Sequence, residues 1–350
     1  MAEAPILKAL VLQGGGALGA FALGAMRVLY GQGYRPDLIS GVSIGAITAA
    51  LLARPKDGDP LATLEAFWKV VAVEADWWPA PLQRFASAFG NPHFFMPRTD
   101  LWGAVSWTSF YSTAPLKRTL ERFVDVDALA DPKARPRLLL TATDVEAGQI
   151  EPFDSAVRGL TLDHILASGS LPPSFPMTLI DNRAYWDGGV FDNTPLGEVL
   201  SRLSRAEGDA DARQVVVVNL FPNVGKVPTD LNEVNQRMLD LMFANKTRGD
   251  LKLLERFNAV SRLLDVIRKD ERWKSLAEDS VFRDADRDYV QVPEVLEITR
   301  EGATANGAWS DFSPAGIAAL AAEGEKAARA ELQDPKIQAG RMRGKAPALT

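Results

Sequence analysis

Leu38-Ile39-Ser40-Gly41-Val42-Ser43-Ile44-Gly45-Ala46 is the stretch whose reading decides the fold. A short apolar run enters Gly41-Val42-Ser43-Ile44-Gly45, and an alanine-rich run from Ala46 to about Arg54 leaves it. The pattern G-x-S-x-G between a strand and a helix is a nucleophile elbow, a sharp turn that projects the serine hydroxyl at the top of a sheet. Flanking glycines are needed because a Cβ there would collide with neighbouring backbone. The following helix points its N-terminus at Ser43 and favours negative charge developing there. A glycine-rich packing turn with an idle serine reads the same over five residues, so the surroundings must decide.

Upstream, Ile6 to Leu12 has the composition of a buried parallel strand. Gly14-Gly15-Gly16-Ala17-Leu18-Gly19 follows, then an apolar helix from Ala20 to about Gly31. Taken literally this is G-x-G-x-x-G, a dinucleotide-binding fingerprint, which calls for an acidic residue at the end of the next strand. Asp37 precedes that strand and Ser43 ends it, so the fingerprint is incomplete. The same glycines suit an oxyanion hole, where consecutive backbone N–H groups converge on one oxygen at a helix N-terminus.

Bulk composition narrows the classes. The chain has 350 residues, 47% hydrophobic and 24% charged, as expected of a soluble globular protein of one large domain or two smaller ones. A net charge of −6 argues against a nucleic-acid partner, which demands a basic surface. The absence of cysteine removes disulfides, thiolate metal sites and a cysteine nucleophile together. Ala9 to Met26 is apolar except for Gln13, but its flanks are wrong for a signal peptide and its glycines wrong for a spanning helix. The expectation is an intracellular protein.

Twelve of the 29 aromatic residues fall between Phe67 and Tyr111, interspersed with Pro79, Pro81, Pro92 and Pro97. No single helix accommodates those prolines. The stretch is either a lid or acyl-binding wall over the serine or a core-packing excursion. Further on, the pattern predicts strands over 137–143, 150–153 and 214–221, and an Asp181-Asn182-Arg183 turn leading to Tyr185-Trp186-Asp187-Gly188-Gly189. Helices are expected over 115–123, 162–167, 231–244, 251–267 and 313–332, and a strand within 289–298.

A serine nucleophile needs a base, most often histidine. The two histidines, His93 and His164, lie before residue 165, so the late histidine of an α/β-hydrolase is missing. His93 sits in a proline-rich loop and His164 on a short helix, where packing or capping is the commoner role. A carboxylate can replace histidine. Asp187 is best placed, because it follows an apolar-aromatic strand end and Gly188-Gly189 permits a tight turn. Asp144 and Asp181 read as turn residues.

Three ordered motifs now stand together: Gly14-Gly15-Gly16-Ala17-Leu18-Gly19, Gly41-Val42-Ser43-Ile44-Gly45 and Asp187-Gly188-Gly189. On them, and on the small-residue and proline loop Ser168 to Pro176, the chain resembles bacterial patatin-like phospholipases over about residues 6 to 220. Trp309 to Phe312 and the helical C-terminal part resemble an extension found in one bacterial subgroup. The resemblance implies a three-layer α/β/α fold with a mostly parallel sheet. It divides the chain into a catalytic domain (1–228), a mainly helical C-terminal extension packed on it (229–333) and a disordered tail (334–350). It also implies a lipid acyl hydrolase with Ser43 as nucleophile, Asp187 as base, and Gly14, Gly15 and Gly16 at the oxyanion hole. There the amides of Gly15 and Gly16 would donate while Gly14 shapes the turn. Gly19, Gly41, Gly45, Gly188 and Gly189 would support these motifs. No cofactor or metal is called for. The expected partner is a lipid or other carboxyl ester, with no nucleic acid, in the cytoplasm, and transient contact with a membrane surface remains open. Many family members carry a basic residue where this chain has Leu18, which keeps three alternatives in view: a small-ester carboxylesterase, an acyltransferase and a non-catalytic lipid-binding module.

Overall fold

The computed structural model describes residues 8–75, 86–100, 106–203, 213–222, 224–289, 291–301 and 308–333. Its centre is an eight-stranded sheet in the order β10-β9-β1-β2-β5-β8-β7, with β6 also paired to β5. In chain order the strands are β1 (Lys8–Leu12), β2 (Leu38–Gly41), β3 (Met96–Pro97), β4 (Tyr111–Ser112), β5 (Arg137–Asp144), β6 (Gln149–Asp154), β7 (Thr178–Ile180), β8 (Arg183–Asp187), β9 (Gln214–Asn219) and β10 (Glu294–Thr299). β3 and β4 form a separate small antiparallel ladder. The five strands β10, β9, β1, β2 and β5 run parallel, and β6 and β8 pair antiparallel with β5. Helices cover both faces. Those nearest the elbow are α1 (Ala20–Gly31), α2 (Ile44–Ala53) and α3 (Pro60–Val70).

Period-two alternation assigns the layers. Leu10, Leu12, Leu138, Leu140, Val216 and Val218 face the cluster that contains α1 and α2. Their neighbours Ala9, Val11, Leu139, Val215 and Val217 face the opposite side, against Leu196, Val199 and Leu254. A strand buried on both faces has no polar positions to spare, which is why Val215 to Val218 run without a break. Each such side chain taken from water is worth about 1.5–3 kcal/mol. The expected turn at Asp181-Asn182 is a two-residue hairpin joining β7 to β8, and both residues have positive φ, 51° and 64°. That matches the turn type whose twist fits a hairpin.

One register decides where the site forms. β2 pairs with β5 up to Gly41 opposite Leu140, and β8 pairs with β5 from Asp187 opposite Ala142. Because β6 occupies the other edge of β5 from Leu139 to Asp144, β2 and β8 share one edge in succession. The chain leaves that edge at Gly41 to make the elbow, and Asp187 arrives there two residues further along β5.

Residues 231–244 and 251–267, expected as two helices, form one helix, Leu231–Lys269. Gly249 marks the expected break, but a single glycine in a helix costs only about 1 kcal/mol. Beyond it β10 joins the sheet edge parallel to β9. The C-terminal helix Pro314–Gln333 then crosses α1, and the crossing is closest at two glycines. A Cβ on Gly24 would overlap the Ala321 carbonyl, and one on Gly324 would overlap the Phe21 carbonyl. Just before this helix, Phe312 inserts among Trp68, Phe94 and Phe95, with ring centroids 5.3–6.4 Å apart. The described part of the aromatic stretch therefore packs chiefly inside: Phe67, Trp68, Phe94 and Phe95 are buried, whereas Phe89 and Phe110 are exposed. Trp77, Trp78, Phe85, Trp102 and the tail 334–350 lie outside the described residues.

The helix crossing is directly testable. Gly24→Ala or Gly324→Ala must push the two backbones apart, an overpacking cost of at least about 1–3 kcal/mol. Thermal denaturation should show a clearly lowered Tm for either variant. An unchanged Tm in both would mean that the two helices do not meet at these residues.

Candidate active site

Ser43 sits between β2 and α2 with φ 56° and ψ −125°, a backbone conformation that a non-glycine residue rarely adopts. Ladder pairing on one side and the helix on the other hold it there. Its carbonyl accepts the N–H groups of Ala46 and Ile47 at 2.9 and 3.1 Å, and its own N–H reaches the backbone oxygen and the hydroxyl of Ser168, both at 3.1 Å. A Cβ at Gly41 would overlap the Gly45 carbonyl, and one at Gly45 would overlap the Leu12 carbonyl. The two glycines thus let the turn close on itself and on β1. Ser43 is partly exposed at the start of α2, where the helix N-terminus favours negative charge.

The glycine loop lies beside it. A Cβ at Gly14 would come within 3.0 Å of the Ser43 Cβ. The three glycines differ in what their amides do. Gly14 N–H points to the Asn193 carbonyl at 3.4 Å, so it is engaged in holding the loop. Among the described residues the Gly15 and Gly16 amides have no hydrogen-bond partner, and both residues are partly exposed. Gly16 has φ 57°, and a Cβ there would also strike the Trp309 carbonyl, so this residue must be glycine on two counts. Gly19 gives room to the Ile44 side chain. Leu18 is fully buried in the core beneath the loop.

Asp187 ends β8 almost wholly buried. One carboxylate oxygen accepts the Gly189 N–H at 2.7 Å, and the carboxylate also accepts a hydrogen bond from the Ser43 side chain. Its backbone is clamped on both sides: the N–H donates to the Ser170 carbonyl at 3.0 Å and the carbonyl accepts the Thr143 hydroxyl at 2.9 Å. Gly188 lies against the Thr141 carbonyl, leaving no space for a side chain. Burial raises the carboxyl to about 7, against the lowering pull of the Ser43 and Gly189 hydrogen bonds.

Four residues outside the three motifs turn out to hold them together. Ser168 and Ser170, two residues apart, receive the Ser43 and Asp187 amides respectively, so one short loop positions both side chains. Gln13 is buried with every polar atom used: Oε1 accepts Leu220 and Phe221 N–H at 2.6 and 3.1 Å, and Nε2 donates to the Thr194 hydroxyl and the Phe243 carbonyl at 2.8 and 3.0 Å. Asn193 donates its amide to the Gly14 carbonyl at 3.1 Å, and its Oδ1 abuts Gly189, tying the glycine loop to the Asp187 turn. Gln13 carried a sequence signal, as the one polar residue in an apolar run, because a buried polar side chain must find partners. Asn193 carried none.

The remaining titratable candidates are engaged elsewhere. His164 Nδ1 accepts the Thr161 N–H at 3.0 Å in a capping box, and its Nε2 lies 3.0 Å from Arg158. Burial and the Arg158 charge hold this imidazole down at about 4, hence neutral. His93 is exposed in the turn that starts at Asn91. Asp144 accepts two amides of its own turn, and Asp181 pairs with Arg158 at 3.1 Å. Among the described residues no group of three or more His, Cys, Asp or Glu side chains could hold a metal ion.

A partly exposed serine on a strained elbow, a buried carboxylate hydrogen-bonded to it and two open amides alongside are the constellation of a serine acyl hydrolase without histidine. The sequence model of the patatin-like phospholipase family matches residues 10–200, more than half of the chain, and the chain belongs to that family. Among solved structures it is similar to VipD from Legionella pneumophila, with 14% identity over 93% of this chain and 67% of that one and a TM-score of 0.40. ExoU from the type III secretion system of Pseudomonas aeruginosa, in complex with SpcU, is similar at 17% identity over 70% of this chain and 51% of that one, with a TM-score of 0.28. A second structure of the ExoU–SpcU heterodimer gives 18% identity, coverage of 96% and 68%, and a TM-score of 0.31. No curated protein matches the sequence.

The buried carboxyl makes stability depend on pH. Its unfolded value is about 3.9 and its folded value about 7, so the folded state binds the extra proton between them. The stabilisation is complete below the unfolded value and is lost as pH rises through the folded one. Asp187→Asn does not titrate, so its Tm relative to wild type should climb steadily from pH 4 to pH 8. A difference in Tm that stays flat across that range would show that the carboxyl is not raised.

Proposed function

We propose that the chain is a lipid acyl hydrolase that cleaves carboxyl esters through Ser43 and Asp187. The hydrogen bond from the Ser43 side chain to a buried carboxylate is the observation that carries this reading. Ionised Asp187 accepts the hydroxyl proton as Ser43 Oγ bonds to the ester carbonyl carbon. The resulting oxyanion is met by the Gly15 and Gly16 amides and the N-terminus of α2. As the tetrahedral species collapses, the ester C–O bond breaks and the leaving alcohol takes the proton back from Asp187. Water then attacks the acyl-enzyme, giving one proton to Asp187, and the free acid departs as Ser43 recovers its proton.

A carboxyl poised near neutrality suits this cycle, because a general acid–base group works best when its pKa lies near the operating pH. The strained Ser43 backbone and the buried charge are both costs to folding, of the kind that cluster at sites where chemistry is done. Leu18 leaves backbone amides as the donors at this end of the site, which suits an acyl oxygen.

Hydrolysis of a p-nitrophenyl ester series by wild type and Ser43→Ala tests the reading. The serine variant should lose at least about 10³-fold in kcat/KM while keeping its fold. Wild-type kcat/KM should rise with pH through a midpoint near 7 and level off above it, since the ionised form of Asp187 is the base. Undiminished turnover by Ser43→Ala would overturn the proposal.

A further inference from the structure

The longest helix of the molecule has an outer face that water alone does not explain. Helix Leu231–Lys269 is 39 residues long, or roughly 58 Å at 1.5 Å per residue. Its inner side is buried through Gln236, Asp240, Ala244, Leu254, Ser261 and Leu264. Its first turns expose Leu231, Val234, Met238, Leu241 and Met242, with Leu231 at 82% and Met242 at 66%. The second half exposes Leu253, Val260, Leu263 and Val266. At about 100° per residue these nine positions fall within one arc of about 140°, so they form a single stripe along the whole helix. Isolated exposed apolar residues are ordinary, but a contiguous stripe of this length marks a contact surface.

Charge identifies the contact. Lys252 and Arg256 fall within the same arc, both are exposed, and neither has an acidic partner among the described residues. No acidic residue of the helix falls within it; Glu255 is just outside. A net charge of −6 makes a face free of acid a departure from the rest of the chain. A second copy laid antiparallel across the helix centre would set this basic middle against its own like charge. An anionic lipid surface complements both features, apolar side chains entering the headgroup boundary and lysine and arginine meeting phosphates. The helix is also tied to the site: Phe243 receives Gln13 Nε2 at 3.0 Å, and its ring lies 5.2 Å from that of Phe221, at the strand ends where the glycine loop begins. Val224 and Val227, in the loop leading into the helix, are more than four-fifths exposed and extend the apolar surface. No helix among the described residues is long and apolar enough to cross a membrane, so the fitting geometry is one lying on it.

We infer that the outer face of Leu231–Lys269 docks on an anionic lipid surface and so presents the candidate active site to lipid esters. The inference rests on the hydrolase reading for its purpose, but docking itself requires no turnover. Sedimentation of the full chain carrying Ser43→Ala, with vesicles of phosphatidylcholine alone or mixed with phosphatidylglycerol, reads binding without hydrolysis. Binding should be strong only on the mixed vesicles and should weaken with added salt. The Lys252→Glu/Arg256→Glu pair should lower it by more than about 20-fold. The Met238→Gln/Leu241→Gln/Met242→Gln triple should lower it by at least about tenfold. Built into the otherwise wild-type chain, both sets should leave turnover of a short soluble p-nitrophenyl ester unchanged, which separates this test from that of Ser43 and Asp187. Equal binding to both vesicle types, or retained binding by both variant sets, would overturn the inference. So would a chain that ignores vesicles but is a dimer which the triple variant splits, since a second copy would then be the occupant.

Discussion

The edge of β5 is shared by two strands in succession, and the rest of the site depends on that arrangement. β2 holds the edge through Leu140 and then turns away at Gly41, leaving the remaining edge residues of β5 unpaired. An open edge in the middle of a sheet leaves backbone donors and acceptors without partners, which is costly. β8 fills it from the opposite direction, beginning at Ala142. The place where one strand gives way to another is therefore the place where a serine leaving the sheet and an aspartate entering it come together. Neither a longer β2 nor a longer β8 could be accommodated without displacing the other.

Two unfavourable features are concentrated at this junction, and the surrounding packing over-determines both. Ser43 keeps a backbone conformation that costs about 1–3 kcal/mol because the Gly41–Gly45 approach and the Ser168 contacts leave no alternative path. Asp187 keeps its carboxylate out of water because its backbone is fixed at Ser170 and Thr143. The small loop Ser168-Gly169-Ser170 does for the pair what neither strand does alone: it fixes the distance between them. Gln13 and Asn193 extend the same control to the glycine loop, binding it to the end of β9, to the long helix and to the Asp187 turn.

How legible this was in the sequence follows from the range of the interactions. The strands around Val11, Leu139 and Val217, the elbow at Ser43 and the turn at Asp181 are written in local patterns, because burial on two faces, a helix start and a hairpin twist each constrain neighbouring residues. The three glycine-containing motifs were legible for the same reason. The fusion of two expected helices into Leu231–Lys269 was not, since a glycine breaks a helix only when nothing else supports it, and support here comes from Leu254 and Ser261 packed against distant strands. Asn193 was invisible because its partners, Gly14 and Gly189, are brought to it by the fold alone. The aromatic stretch offered two readings. Its described rings resolve mostly toward packing because Phe312, more than 200 residues away, completes their cluster.

Phe312 also shows why the C-terminal part cannot be regarded as a mere cover. Its carbonyl accepts the Val73 N–H at 2.8 Å, the Ser87 hydroxyl donates to Ser310, and the Trp309 carbonyl lies against Gly16. A carbonyl pressed on the glycine loop restricts where that loop can move, and the loop carries the two open amides. Pre-aligned donors stabilise a developing oxyanion only when they need not reorganise as charge appears. The segment that encloses the aromatic cluster is thus the same one that stiffens the amides, so the helical extension and the nucleophile elbow are parts of one mechanical unit although 250 residues of sequence separate them.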